Sequence, residues 1–291
     1  MSNVQALQDV LRHLNLHDFK RGDSSHRHVV SDASQRFEDG PLQSSGDCIV
    51  AEYATLRLTS TFQPIVNSAN TRIGYKAYLK ASSGVARHYN LDIPRLALSV
   101  GDRSEIVYLD RLTRTLHALN YLAYELEGDL HMSVNPQHLL EVSGNHGVVF
   151  EQILSKCGLE TGRIVLEIGD YISNKEHLQL AISGWRDRRY KIAFDGVSIR
   201  NSDMARVLKY HPDFIKIDIR VLRSNENLEE LREILGKNIE AYRANGIESI
   251  ATHIDTEQDF RNARLYGFSA LQGAWLGQDS EGEQLPLVTS L

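Results

Sequence analysis

Five polar side chains fall at the ends of short apolar runs along this chain. Asn135 follows LHMSV, Glu167 lies in IVLEI, Asp195 closes KIAFD, Lys216 lies in FIKID, and Gln272 ends the run that starts at Ala270. Each run is short and apolar enough to be a buried strand. A carboxylate or ammonium there is costly unless it is paired or bound to a metal. One such residue is as well explained by a helix cap or a structural ion pair. Five of them in one ring read as a site, and a small anionic ligand is compatible with it whatever the global charge.

Such a ring needs a scaffold that gathers strand ends. Candidate strands are Leu58–Val66, Ile73–Lys80, Leu130–Val134, Ile164–Ile168, Lys191–Asp195, Phe214–Asp218, Ile247–Ala251 and Ala270–Gln272. Helical patterns over 104–127, 147–157, 174–189, 201–210, 225–246 and 256–266 alternate with them, and Gly246 and Gly267 close two. Alternation of this kind predicts an α/β fold with parallel strands. Strand count and length fit a TIM-like (β/α)8 barrel, whose chemistry sits at the C-terminal strand ends. An open doubly wound sheet is the alternative, but no glycine-rich phosphate loop follows the first strand.

Ahead of the barrel, Val4, Leu7, Val10, Leu11 and Leu14 keep helical spacing, so residues 3–15 read as a short amphipathic helix. Its apolar stripe packs either on the main domain or against a second copy. Residues 20–48 are polar and read as a linker. The expected division is an N-terminal helix and linker over 1–50 and a barrel domain over 51–291.

The chain has 291 residues, 42% hydrophobic and 24% charged, with a formal charge of -6. That composition is ordinary for a globular protein and argues against a nucleic-acid polymer as partner. No apolar run is long enough to span a membrane, and the N-terminus is too polar for a signal peptide. Cys48 and Cys157 are the only cysteines and read as unpaired thiols of a cytoplasmic protein. No GxSxG elbow, HExxH pair or Walker loop occurs. His26 and His28 read as part of a solvated loop, and Trp185, Trp275 and Tyr78 as packing residues.

Phe62-Gln63-Pro64-Ile65-Val66, Ser133-Val134-Asn135, Leu166-Glu167-Ile168, Phe214-Ile215-Lys216-Ile217-Asp218 and Gln272-Gly273 occur in that order. Together they resemble the EAL family, the cyclic diguanylate phosphodiesterases of bacterial signalling, over about residues 58–280. The resemblance implies an EAL-type barrel in which Asn135, Glu167 and Asp195 sit at metal-ligand positions and Lys216 at that of the water-handling lysine. The signature triplet Glu-Ala-Leu reads Lys76-Ala77-Tyr78, so a cation replaces a metal-binding glutamate. Gly196 replaces a second aspartate, and Thr252 replaces the general base.

These departures imply a phosphodiesterase that has lost its metals and its activity. Lys76 is expected to form a structural ion pair with Glu167 and Asp195, the alternative being that it swings to solvent. The leading function is then a regulatory module with an unidentified protein partner and no cofactor, with a homodimer as an option. The alternative is a receptor that binds cyclic diguanylate without hydrolysis. Gln63, Lys76, Lys80, Asn135, Glu167, Asp195, Lys216 and Gln272 would then contact the nucleotide. An active phosphodiesterase ranks last.

Overall fold

The computed structural model describes residue 11 and residues 41–53, 56–83, 86–91, 103–135, 147–169, 175–199, 204–223 and 228–277. The expected N-terminal helix, Leu11 apart, and the segment holding His26 and His28 lie outside the described residues.

The elements run β1 (Leu42–Ser45), β2 (Cys48–Tyr53), β3 (Leu56–Asn67), β4 (Arg72–Ser83), β5 (Ala86–Leu91), α1 (Arg103–Ala123), β6 (Asp129–Ser133) and α2 (Val148–Cys157). Then come β7 (Ile164–Gly169), α3 (Lys175–Arg186), β8 (Lys191–Asp195), α4 (Met204–Tyr210), β9 (Phe214–Asp218), α5 (Leu228–Ala244), β10 (Glu248–Thr252), α6 (Glu257–Leu265) and β11 (Ala270–Gln272). All eight expected strands and all six expected helices are present, with shifted ends at several. β1, β2 and β5 were not foreseen, and β1 occupies sequence expected to be linker.

Strands β3, β11, β10, β9, β8, β7, β6 and β4 are hydrogen-bonded in that order, and a β3–β4 pairing closes them into an eight-stranded barrel. Neighbours from β4 through β11 pair in parallel. β3 runs antiparallel to β11, which departs from the expected all-parallel set. The cause is local. Asn67 Oδ1 accepts from the amides of Ala69 and Thr71, both at 2.9 Å, and folds the chain back within a few residues. A connection that short suits antiparallel strands, whereas a parallel pair needs a long crossover.

The chain divides into two compact units, described separately. One holds residues 1–61, 77–126 and 147–161, the other 62–76, 127–146 and 162–291. In the first, β2 pairs antiparallel with both β1 and the start of β3. Asn120 on α1 bonds to the amide and carbonyl of Ile49 at 2.7 and 2.8 Å, so its side chain acts as an extra strand residue on β2. Arg114 and Asp110 form a buried pair one helical turn apart, and Arg114 lies 4.8 Å from the Phe150 ring centre.

The second unit holds the barrel interior. Successive side chains on a strand face opposite ways, so residues two apart share a face. Ile65, Val165, Ala193, Phe214, Ile250 and Ala270 pack as one buried apolar layer, with Ile73 against it. Two residues further along the parallel strands come Glu167, Asp195, Lys216, Thr252 and Gln272. Because β3 is reversed, its matching residue is Gln63. The apolar layer thus forms the floor and the polar set forms the next layer, toward the C-terminal strand ends. Around the barrel, α3 buries Leu178, Ala181, Ile182 and Trp185, while α5 buries Leu231, Leu235, Ile239 and Tyr242. Both sets follow helical spacing. Gly246 and Gly267, at φ 71° and 78°, stop α5 and α6 as expected.

Candidate functional site

Strand register sets the site. Lys76 stands beside His131, and Ser133 stands beside Glu167. The Lys76 ammonium donates to Glu167 Oε2 and to Ser133 Oγ, the latter at 2.5 Å. The Lys216 ammonium pairs with the other oxygen, Oε1. His131 Nδ1 also lies 3.0 Å from Oε1. Lys216 donates to Gln272 Oε1 at 2.8 Å, and Gln272 Nε2 donates to Gln63 Oε1 at 2.8 Å. A continuous polar belt therefore joins β6, β4, β7, β9, β11 and β3.

The belt is dry at its centre. Lys76 is 5% exposed, Glu167 2%, Lys216 1% and His131 1%. Burial alone would push the Glu167 carboxyl up, but Lys216, Lys76 and the His131 bond hold it well below the usual glutamate range. Glu167 is therefore ionised at neutral pH. Burial lowers Lys216, Glu167 and Asp195 raise it, and Lys76 lowers it. Burial, then Lys216, push His131 down to about 4 against the pull of Glu167. At pH 7 the imidazole is neutral, and its Nδ1 hydrogen fits the Glu167 carboxylate.

These residues do not fit a divalent metal. Both Glu167 oxygens already accept from cations. A divalent ion placed about 4 Å from the Lys76 ammonium would be repelled by about 8 kcal/mol at an effective dielectric of 20. Among the described residues, no group of three or more His, Cys, Asp and Glu side chains is arranged to hold a metal. The Lys76 ammonium instead supplies fixed positive charge to the carboxylate.

The remaining expected positions lie near this layer or depart from it. Asn135 is buried just past β6, where the neighbouring Val134 amide bonds to the Glu167 carbonyl at 2.9 Å. Asp195 ends β8 half-buried, and its charge acts on Lys216. Gly196 follows at φ 73°, a left-handed conformation that glycine adopts without strain. Beyond it Val197 and Ile199 are buried, the Val197 amide bonds to the Lys216 carbonyl, and Asn238 Nδ2 bonds to the Ile199 carbonyl at 2.6 Å. Residues 196–199 are thereby pinned. The buried Thr252 hydroxyl donates to the Ile217 carbonyl at 3.3 Å. Lys80 is half-buried and belongs to the other compact unit.

Trp185 is buried as expected, whereas Trp275 is 39% exposed and is not a core residue. His131 was missed by sequence reasoning. The signal was there, since His131 and Ser133 are two apart on β6 and so share a face.

Residues 53–279 match the family profile of the EAL domain. The chain belongs to that family. It is 26% identical over 142 residues to the uncharacterized EAL-domain containing protein YkuI of Bacillus subtilis, a stretch covering 47% of this chain and 35% of YkuI. The crystal structure of B. subtilis YkuI, in complex with substrate c-di-GMP and calcium, superposes with a TM-score of 0.64 at 20% identity. That match covers 77% of this chain and 55% of YkuI. A standalone versatile EAL protein from Vibrio cholerae O395, in its c-di-GMP bound form, gives a TM-score of 0.65 at 15% identity. There 79% of this chain and 95% of the other are covered. The chain thus spans about a third to a half of YkuI.

Proposed function

We propose that this member of the EAL family is a non-hydrolytic regulatory module of bacterial signalling, acting in the cytoplasm by binding another protein. One observation carries the reading. The carboxylate of Glu167, a metal-ligand position by resemblance, is occupied on both oxygens by Lys76 and Lys216 inside the barrel. Two-metal hydrolysis needs carboxylates free to bridge or hold divalent ions and to make a bound water nucleophilic. Here that role is closed by a tethered ammonium. Thr252 and Gly196 extend the same pattern, because neither brings a carboxylate. The barrel is retained as a stable scaffold, and its surface carries the function. No cofactor enters this reading.

A second reading is a receptor that binds cyclic diguanylate without cleaving it. Gln63 supports it, since this half-buried amide ends the polar belt and is of a type that reads a base edge. Lys76, Asn135, Glu167, Asp195, Lys216 and Gln272 are the further contacts that this reading expects in the same unit.

Calorimetry of the full chain with cyclic diguanylate, with and without magnesium, combined with a turnover assay, separates the readings. No heat and no turnover support the protein-binding module. Saturable heat that ignores magnesium supports the receptor. Magnesium-dependent production of a linear dinucleotide overturns both.

A further inference from the structure

A concavity of about 510 Å³ lies away from the polar belt, against the turn between β3 and β4 and the approach to β11. It is lined by Ser68, Arg243, Arg264, Gly267, Phe268 and Ser269. We infer that it is an anion site for a phosphate group carried by a small molecule.

The charge pattern is the first argument. Two arginines line the concavity and no aspartate or glutamate does, although the chain as a whole is acidic. Among the described residues Arg243 donates to the Gly267 carbonyl at 2.7 Å, which fixes the direction of its fork. Arg264 lies with its guanidinium carbon 5.6 Å from the Phe260 ring centre and has no ion-pair partner among the described residues. A planar guanidinium held against an aromatic ring keeps its edge donors directed outward.

Position is the second argument. Arg243 and Arg264 each stand in the last turn of their helix, α5 and α6, where a cation complements the carbonyl end. That role accounts for each arginine separately. It does not account for both meeting on one concavity with two serine hydroxyls. The Ser68 amide is bonded to the Ser269 carbonyl at 3.2 Å and the Ser269 amide to the Ser249 carbonyl at 2.9 Å, while the Ser269 hydroxyl accepts from the Ser249 amide at 3.4 Å and keeps its own hydrogen to donate. Two forked donors and two hydroxyls match the acceptors of a phosphate dianion. The volume exceeds that of a bare phosphate, and the concavity is open enough to admit one carried on a larger body.

Calorimetry of the full chain at low salt with pyrophosphate and with adenosine monophosphate tests the assignment, using sulfate at matched ionic strength as control. The expected result is saturable binding of either phosphate probe at sub-millimolar concentration. Arg264→Gln, which removes no ion pair among the described residues, should weaken binding at least tenfold while lowering the melting temperature by no more than about 3 °C, the loss expected for one cation at a helix C-terminus. Adding Arg243→Gln should abolish it. No saturable binding overturns the assignment. So does binding that survives the double variant, or equal affinity for sulfate, which would mark an adventitious ion only.

Discussion

Lys76 and Glu167, separated by 91 residues in sequence, meet as a buried ion pair across the barrel interior. The partners differ in what they leave behind when removed. Glu167 is the anion shared by two ammoniums, so its loss strands both. Loss of Lys76 leaves Glu167 still paired with Lys216. Breaking a buried pair costs far more than the pair itself contributes, because the orphaned charge stays desolvated.

Glu167→Gln should therefore destabilise the protein by about 3–5 kcal/mol. Urea unfolding followed by the fluorescence of the buried Trp185 would measure it. A loss below about 1 kcal/mol, typical of an exposed pair, would mean that the belt is not dry.

Lys76→Glu should act by repulsion. The new carboxylate would stand beside Glu167 near Asp195, and like charges so close oppose joint ionisation. A loss of about 2–3 kcal/mol corresponds to a melting point lower by roughly 5–10 °C. Millimolar manganese should return part of that loss, because Glu167, Asn135 and Asp195 would then have a third carboxylate beside them. Wild-type melting should ignore manganese. Scanning calorimetry with and without a chelator checks both, and an unchanged melting point in the variant would count against the ion pair.

Much of this was legible from residue order. The apolar runs gave strands on which Glu167, Asp195, Lys216 and Gln272 line one layer, with Asn135 just beyond it, because side-chain alternation fixes which residues face inward. The Lys76–Glu167 pairing was readable for the same reason once the strands were placed in a barrel. Lys216 as the second cation on Glu167 was not, since shared partners depend on side-chain reach across the interior. Nor was the reversed β3. Its direction is set by the Asn67 side chain in a turn, a local hydrogen bond that hydrophobic periodicity does not report. Trp275 misled because an aromatic in an apolar run gives no sign of which side it faces.

Glycine positions around the mouth should differ sharply in tolerance. A Cβ on Gly273 would lie 2.2 Å from the Ile254 amide nitrogen and 2.3 Å from its carbonyl oxygen, so backbone would have to move. A Cβ on Gly196 meets nothing within 4 Å, and only its φ of 73° resists. Gly196→Ala should cost about 1 kcal/mol. Gly273→Ala should cost several times more and disturb the β11 end that carries Gln272. Urea midpoints of the two variants decide this, and equal losses would contradict the close approach.

Asp259 offers a pH-dependent test remote from the belt. It accepts from Arg223 Nη2 at 2.7 Å, the Thr256 amide at 2.9 Å and the Thr256 hydroxyl at 2.7 Å, closing a capping box at the start of α6. Burial pushes its carboxyl up, but the bonds from Arg223 and Thr256 outweigh burial and hold it below 3.8. A carboxylate depressed by folding contributes stability above its unfolded value, and that contribution is lost as pH falls through the folded value. Asp259→Asn should therefore cost about 1–2 kcal/mol at pH 7, a figure kept modest because Arg223 is partly exposed and screened. Relative to wild type, the deficit should persist at pH 5 and shrink below pH 3.8, where the unfolded carboxylate takes up a proton before the folded one does. Urea midpoints for both proteins at pH 7, 5 and 3.5 would trace the difference. A gap that stays constant across that range would assign the cost to lost cap geometry instead of charge.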